Sequence, residues 1–281
     1  MMKKLVSKYG PKAIGLGLNV LAVVAPRRAA VKTLDIFCSP RQGRVKSYQR
    51  KFLKKFETKV IACGEHKIMT YHRPGSGPRI LLCHGWESNT FRWRKLYKEL
   101  VEAGIDIVAM DAPGHGQTSG DKFTAVLYAE MMEAVAAAYE PDLLCGHSVG
   151  GMASIIALHS RLLPSVEKAI ILASPDRLHD ITTNYFNVIG GSKRLRRGYE
   201  AVIEQTFANP TSYYSAADFA KKLSLPALIV HDREDTVNKY EEGLRIHEAW
   251  TGSVLQSTEG LGHSLQAQQV YKWIVDFCEQ R

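Results

Sequence analysis

One stretch decides the fold of this chain: Leu143-Leu144-Cys145-Gly146-His147-Ser148-Val149-Gly150-Gly151. It begins as a short apolar run, which is the composition of a strand buried in a parallel sheet. An alanine-rich segment, Met152 to Leu163, follows at once and favours a helix. A G-x-S-x-G sequence between a strand and a helix predicts a sharp, strained turn that leaves the Ser148 hydroxyl projecting at the carboxyl edge of the sheet.

The residues around Ser148 favour a role for this serine as a nucleophile. Side chains at Gly146 and Gly150 would collide with the neighbouring strand or helix, so glycine fits both positions. The helix that follows points its N-terminal N–H groups at the serine, where they stabilise developing negative charge. The alternative is a glycine-rich turn whose serine only caps a helix.

Length and composition indicate one α/β domain of ordinary size with an insertion. The chain has 281 residues, of which 45% are apolar and 23% charged. It contains no run of about 18 uncharged apolar residues, so we expect no membrane-spanning helix. Its five cysteines lie at positions 38, 63, 83, 145 and 278. Their odd number and the lack of zinc-site spacing argue against a disulfide framework and favour a reducing compartment. We therefore expect a cytoplasmic protein, with membrane association left open.

Positive charge is concentrated near the N-terminus. Residues 1–56 hold 14 Lys or Arg against one acid, Asp35, and so carry a net charge of +13. Because the whole chain has a net charge of +9, the remainder carries −4. No recognition motif and no interleaved stacking aromatics accompany this charge, so we expect no nucleic-acid partner. We interpret residues 1–56 as a basic helical extension.

Residues 1–31 leave three interpretations open. An apolar run, Ala13 to Ala25, follows four lysines: Lys3, Lys4, Lys8 and Lys12. The segment is a helix packed on the rest of the protein, a peripheral membrane helix whose lysines lie near anionic lipid, or a cleaved secretory signal. Arg27 and Arg28 argue against export. Several residues weaken the run as a helix: Gly10, Pro11, Gly15 and Gly17.

From residue 57 to 281 strand patterns alternate with helix patterns. This alternation implies a mostly parallel sheet covered by helices on both faces. The interval from about 176 to 225 breaks the alternation, because it is rich in aromatic residues and has no clear strand. We interpret it as a small helical cap over the carboxyl edge of the sheet, which would place several aromatics above Ser148. The other interpretation is that these aromatics pack only among themselves.

A serine hydroxyl attacks a carbonyl only when a base removes its proton. Two late segments, each directly after a predicted strand, offer a base and an acid. The first is His231-Asp232-Arg233-Glu234-Asp235, and the second is Gly260-Leu261-Gly262-His263. His263 is the histidine in the right late position, and it follows a Gly-x-Gly turn.

Five motifs in order give the chain its resemblance to a known family. They are His84-Gly85-Trp86 after the third strand, Asp111-Ala112-Pro113-Gly114-His115-Gly116 after the fourth, the serine turn after the fifth, Asp235-Thr236-Val237 after the seventh and Gly262-His263 after the eighth. Over about residues 57–281 the sequence resembles α/β-hydrolases of the serine esterase/lipase type. The resemblance implies an eight-stranded sheet with the second strand antiparallel, and neither a metal nor an organic cofactor.

The resemblance also implies the site residues. Its register places the catalytic acid at Asp235, with Ser148 as nucleophile and His263 as base. Asp232 stands where the family usually has glycine and therefore competes with Asp235, while Glu234 is a more distant candidate.

Backbone groups and further histidines complete the implied site. The oxyanion hole would use the backbone N–H groups of Val149 and Trp86, and the Trp86 indole would line the pocket or simply pack. His84 and His115 resemble structural histidines that hold backbone near the pocket. We expect His147, within the turn, to point elsewhere.

The function implied is hydrolysis of a carboxylic ester or thioester, a small acyl substrate, through an acyl-enzyme. Thioesterases, peptidases, acyltransferases and C–C hydrolases share this machinery, and the fold does not choose among them. A non-catalytic, membrane-associated binding protein that retains the fold is the alternative from another class.

Overall fold

The computed structural model describes residues 2–280, with side chains described from residue 10 to residue 280. Its strands form one eight-stranded sheet: β1 Glu57–Cys63, β2 His66–Arg73, β3 Arg79–Cys83, β4 Asp106–Met110, β5 Leu143–His147, β6 Lys168–Leu172, β7 Ala227–Asp232 and β8 Ser253–Thr258. The strand order is β1-β2-β4-β3-β5-β6-β7-β8. Strand β2 runs antiparallel to both β1 and β4, and the other neighbouring pairs are parallel. The predicted sheet is therefore confirmed, including its antiparallel second strand.

Helices connect the strands from β3 onward, in the alternating order that the sequence predicts, and further helices precede β1 and follow β8. They are α1 Met2–Val24, α2 Pro26–Phe37, α3 Arg50–Leu53, α4 Leu96–Glu102, α5 Ala125–Tyr139, α6 Val149–His159, α7 Leu178–Ile189, α8 Lys193–Phe207, α9 Ala216–Ala220, α10 Tyr240–Ala249 and α11 Gln268–Glu279. Among the residues described, no helix has both the length and the apolar character needed to cross a bilayer.

Strands in the middle of the sheet are buried on both faces. Every residue of β4 and of β5 is buried, which explains the apolar runs at residues 107–110 and 143–145 in place of alternating patterns. Residues that cap helices help to set where each helix begins. Thr124, for example, accepts a hydrogen bond on its side chain from the Leu127 N–H and so caps α5.

The chain divides into two compact units. The sheet unit comprises residues 40–176 and 216–281, and the helical unit comprises residues 1–39 and 177–215. The sequence predicts a boundary at residue 56, with a cap inserted separately at about 176–225. In the structure residues 40–56 belong to the sheet unit, because Phe52, Leu53 and Phe56 are buried in its hydrophobic core. The N-terminal helices and the inserted helices α7 and α8 share the other unit.

Helix α1 packs against the insertion at very short range. It continues through Pro11, although glycine and proline were expected to weaken it. A Cβ atom at Gly15 would lie 1.7 Å from the carbonyl oxygen of Ile189, so only glycine allows this backbone contact. The Asn19 amide donates to the Gly190 carbonyl at 2.8 Å and accepts from the Ser192 N–H at 2.8 Å. The side chains of Lys3, Lys4 and Lys8 lie outside the described residues.

Aromatic residues of the insertion pack partly among themselves within the helical unit. The rings of Phe186 and Tyr199 lie 5.2 Å apart, and Phe37 of α2 lies 5.1 Å from Tyr185 and 6.1 Å from Tyr199. The insertion is helical, as its sequence predicted. That it caps the carboxyl edge of the sheet stays a prediction.

Candidate active site

Ser148 occupies a strained turn between β5 and α6. Its φ of 55° and ψ of −130° are values that a residue with a side chain rarely adopts. The turn is as close-packed as the sequence suggested. A Cβ at Gly146 would lie 2.6 Å from the Gly150 carbonyl oxygen, and a Cβ at Gly150 would lie 2.5 Å from that of His84. The Ser148 N–H donates to the Leu172 carbonyl at 2.8 Å, which ties the turn to the neighbouring strand β6.

The structure brings Ser148, His263 and Asp235 into one hydrogen-bonded series. The Ser148 hydroxyl lies 3.1 Å from His263 Nε2, and His263 Nδ1–H donates to Asp235 Oδ2 at 2.8 Å. The Asp235 side chain is fully buried, whereas that of His263 is 23% exposed. Because the carboxylate accepts the Nδ1 proton, Nε2 is left unprotonated and able to accept the serine proton.

The geometry separates the three candidate acids. Asp235 contacts the histidine through Oδ2, while its Oδ1 accepts from the backbone N–H groups of Val237 and Asn238 at 2.8 and 3.1 Å. Asp232 instead holds the loops. It accepts from the Thr258 hydroxyl at 2.6 Å, the Leu261 N–H at 3.0 Å and the Glu234 N–H at 2.9 Å. Glu234 itself is exposed.

Electrostatics keep Asp235 ionised. Burial favours its neutral form, but hydrogen bonds from His231 and His263, together with the Val237 N–H, outweigh burial and hold the pKa of Asp235 well below its usual range. His231 Nε2 lies 3.5 Å from Asp235 Oδ2 and donates to the Asn238 carbonyl at 2.9 Å. The acid therefore stays charged at neutral pH and can stabilise a protonated imidazole.

The two residues predicted to form the oxyanion hole, Val149 and Trp86, lie in segments next to Ser148. Val149 is the first residue of α6, where an N–H has no acceptor within the helix. The loop after β3 is pressed against the serine, since a Cβ at Gly85 would lie 2.8 Å from Ser148 Cβ. Trp86 comes next in that loop, and its indole packs against the rings of His115 and Phe123 at 5.5 and 5.4 Å. One predicted donor thus begins the helix after Ser148 and the other lies in the loop after β3. That both N–H groups point at the oxyanion stays a prediction.

His84 and His115 hold backbone groups, as expected. His84 Nδ1–H donates to the Gly85 carbonyl at 2.8 Å, and its Nε2 accepts from the Ala112 N–H at 2.9 Å. His115 does the same between the Pro113 carbonyl and the Glu87 N–H. Burial lowers the pKa of each ring to about 4, so both are neutral. They fix the loop that carries Trp86.

Sequence reasoning missed two residues that hold the histidine loop. His147 was expected to point elsewhere, but its Nε2–H donates to the His263 carbonyl at 2.9 Å and its ring lies 4.9 Å from that of His263. Burial places the pKa of His147 well below its ordinary value. Arg92 donates to the Ser264 carbonyl at 2.8 Å. Neither contact has a local sequence signal, because each joins segments more than a hundred residues apart.

The loop after β4 is organised around a buried carboxylate. Asp111 accepts from the Tyr71 hydroxyl at 2.8 Å, and from the Thr90 N–H and the Gln117 N–H at 2.9 Å each. Gly116 has a φ of +50°, and a Cβ there would lie 1.9 Å from this carboxyl group. Within the part of the chain that the structure describes, no group of three His, Cys, Asp or Glu could hold a metal ion.

Sheet order and site geometry define an α/β protein with a serine at a strand-to-helix turn, and comparison with known proteins gives its family. The profile of the alpha/beta hydrolase family matches residues 80–276, more than two thirds of the chain. The chain belongs to the α/β-hydrolase family.

Individual relatives match over part of their length. The chain is 34% identical over 104 residues to a pimeloyl-[acyl-carrier protein] methyl ester esterase of Stenotrophomonas maltophilia, covering 37% of this chain and 38% of that protein. It is 29% identical over 127 residues to the monoglyceride lipase of Rattus norvegicus, covering 41% of each. The matched segments span less than two thirds of the length of either relative.

A solved structure supports the fold. An esterase from Exiguobacterium antarcticum superposes with a TM-score of 0.62 at 18% identity, over 80% of this chain and all of that one. At this identity the likeness concerns the fold.

Proposed function

We propose that this protein is a serine hydrolase that cleaves a carboxylic ester or thioester through an acyl-enzyme. The observation that carries the proposal is the hydrogen-bonded series from Ser148 through His263 to Asp235. Family membership and the names of the matched relatives, a methyl ester esterase and a monoglyceride lipase, agree with it.

Acylation begins with the serine hydroxyl. His263 Nε2 takes the Ser148 proton as the serine oxygen bonds to the substrate carbonyl carbon. The buried, ionised Asp235 holds the imidazole in the tautomer with Nδ1 protonated and stabilises the imidazolium that forms. The 3.1 Å separation of the serine oxygen and Nε2 is within reach of direct proton transfer.

The tetrahedral intermediate carries a negative oxygen. The backbone N–H groups of Val149 and Trp86 donate to this oxygen, and the N-terminus of α6 adds a favourable field. One such donor contributes about 10²- to 10³-fold in rate. His84 and His115 act through the backbone by keeping the second donor's loop in place.

Breakdown and deacylation restore the enzyme in three proton transfers. The bond from the carbonyl carbon to the leaving oxygen or sulfur breaks, and His263 gives its Nε2 proton to the departing alcohol or thiol. A water molecule then attacks the acyl-enzyme and loses a proton to His263. The bond to the serine oxygen breaks, and that oxygen recovers the proton.

A panel of p-nitrophenyl esters and acyl thioesters of graded length tests the proposal. We expect turnover of at least the short esters, and loss of nearly all of it in Ser148→Ala with the fold retained by circular dichroism. Ser154→Ala is the matched control, because that serine lies on α6 but donates to the Gly150 carbonyl rather than to His263. Full activity in Ser148→Ala would refute Ser148 as the nucleophile. If the folded wild type shows neither turnover nor covalent labelling by a fluorophosphonate probe, the protein is instead a binding protein that retains the fold.

A further inference from the structure

Helix α1 presents an apolar row to solvent. Leu16, Val20, Val23 and Val24 are 67%, 62%, 62% and 78% exposed. Their spacing places them on one face of the helix. The buried face is already used, since Ile14, Leu18, Leu21 and Ala22 pack into the core of the helical unit. The exposed row is therefore a second apolar face, and it is left without a partner in the described chain.

Exposed apolar side chains are concentrated in the helical unit. Among the residues whose side chains are described, seven of the eleven exposed large hydrophobics belong to it, although it contains 78 of the 281 residues. Single exposed apolar residues are ordinary on protein surfaces, but neighbours in a row mark an interaction surface.

Positive charge is concentrated in the same unit. It holds 12 Lys or Arg against 4 Asp or Glu, a net charge of +8, whereas the sheet unit has 25 against 24, a net charge of +1. Of the protein's total of +9, nearly all belongs to the part that carries the apolar row.

Positively charged side chains lie at both ends of the apolar row of α1. Lys12, one turn before Leu16, is exposed, and so are Arg27 and Arg28 just after Val24. Arg194 of α8 donates to the Val23 carbonyl at 3.3 Å, which brings another cation to the same end. An apolar face bordered by cations is the pattern of a helix that lies in the interface of an anionic bilayer.

We infer that the helical unit docks on anionic phospholipid membranes, with the α1 row entering the headgroup region and the flanking Lys and Arg residues contacting lipid phosphates. Two other partners, a second copy of this chain and a nucleic acid, fit this surface less well. A second copy would bring a second helical unit of net charge +8 against the first, and the two would repel each other. A nucleic acid would match the cations but would leave the aliphatic row exposed to water.

Vesicle flotation of the full chain tests this inference. We expect the protein to float with vesicles that contain about one third phosphatidylglycerol, to remain behind with phosphatidylcholine alone, and to be released by salt. V20D/V24D should reduce the partition coefficient by about tenfold or more, because it places charges in the apolar row. V60D/V254D is the matched control, since Val60 and Val254 are 53% and 52% exposed on the sheet unit, and it should float like the wild type.

A charge variant keeps the test independent of the apolar substitutions. R27Q/R28Q should weaken binding to anionic vesicles by about 25-fold, at about fivefold for each cation removed near the surface. Flotation does not depend on ester hydrolysis, so failure here leaves the proposed function standing. Three results would overturn the inference: no flotation of the wild type, equal flotation of V20D/V24D with its fold intact, or a dimer in sedimentation that V20D/V24D converts to monomer.

Discussion

Replacing Asp235 by asparagine, with Asp232→Asn as the matched control, tests which acid serves the histidine. Asp235 Oδ2 accepts the His263 Nδ1 proton at 2.8 Å, while both Oδ1 contacts come from backbone N–H groups. An asparagine that keeps its oxygen toward the backbone presents its NH₂ to the imidazole. Two donors then face each other, so the ring adopts the other tautomer and Nε2 can no longer accept the serine proton.

The size of the loss follows from this change of tautomer. In a Ser-His-Asp arrangement it lowers kcat by about 10⁴-fold, or about 5.5 kcal/mol of barrier at 1.36 kcal/mol for each tenfold. Asp232→Asn leaves the imidazole untouched. In the wild type, three groups donate hydrogen bonds to the Asp232 carboxylate. The NH₂ group of asparagine cannot accept at least one of these bonds, which should lower the free energy of unfolding by about 1–3 kcal/mol.

The assay is kcat/KM for a short p-nitrophenyl ester near neutral pH, measured beside urea unfolding of each variant. We expect Asp235→Asn to be folded and nearly inactive, and Asp232→Asn to be active and less stable. Retention of kcat/KM within about tenfold in Asp235→Asn, or an equal loss of activity in a folded Asp232→Asn, would refute the assignment of the acid.

Three further changes have expected outcomes. His147→Ala removes the hold on the His263 carbonyl and should lower kcat by about 10²-fold with KM little changed, while His147→Gln, which can still donate, should recover part of the loss in steady-state kinetics. Gly116→Ala should lower the free energy of unfolding by about 2–4 kcal/mol in urea titrations, because its Cβ would lie 1.9 Å from a buried carboxyl group. Gly120→Ala, also at positive φ but 3.4 Å from the nearest ring, should cost less. The folded pKa of Asp235 lies below its unfolded value of about 4, so its contribution to stability is present above that pH and is lost on acidification through the folded pKa. The free energy of unfolding is measured from pH 6, which is about two units above the unfolded pKa, down to acidic pH. Below pH 4 it should fall less steeply in Asp235→Asn than in the wild type.

The serine turn could be predicted because its signal is local. A buried strand, two glycines at fixed offsets and a following helix together specify Ser148 within a single stretch. The same reasoning located His263 after β8. From the residues alone it offered both Asp232 and Asp235 after β7, and the family resemblance favoured Asp235. The three-dimensional contacts agree, because Asp232 instead accepts from the Thr258 hydroxyl and two backbone N–H groups.

Contacts between distant segments could not be predicted. Nothing in the sequence near Gly15 indicates that it meets the Ile189 carbonyl, or that Asn19 pairs with the turn at Gly190. The sequence therefore predicts a separate basic N-terminal extension, whereas helices α1 and α2 share a unit with α7 and α8. The role of His147 was missed for the same reason, since its partner lies 116 residues away.

Covalent labelling with a fluorophosphonate probe, followed by mass mapping of the modified peptide, tests whether Ser148 is the activated nucleophile. We expect one adduct on the Ser148 oxygen of the folded protein, none in Ser148→Ala, and much slower labelling in a folded His263→Ala. A folded wild-type protein that does not react, or an adduct on another residue with Ser148 unmodified, would contradict this assignment.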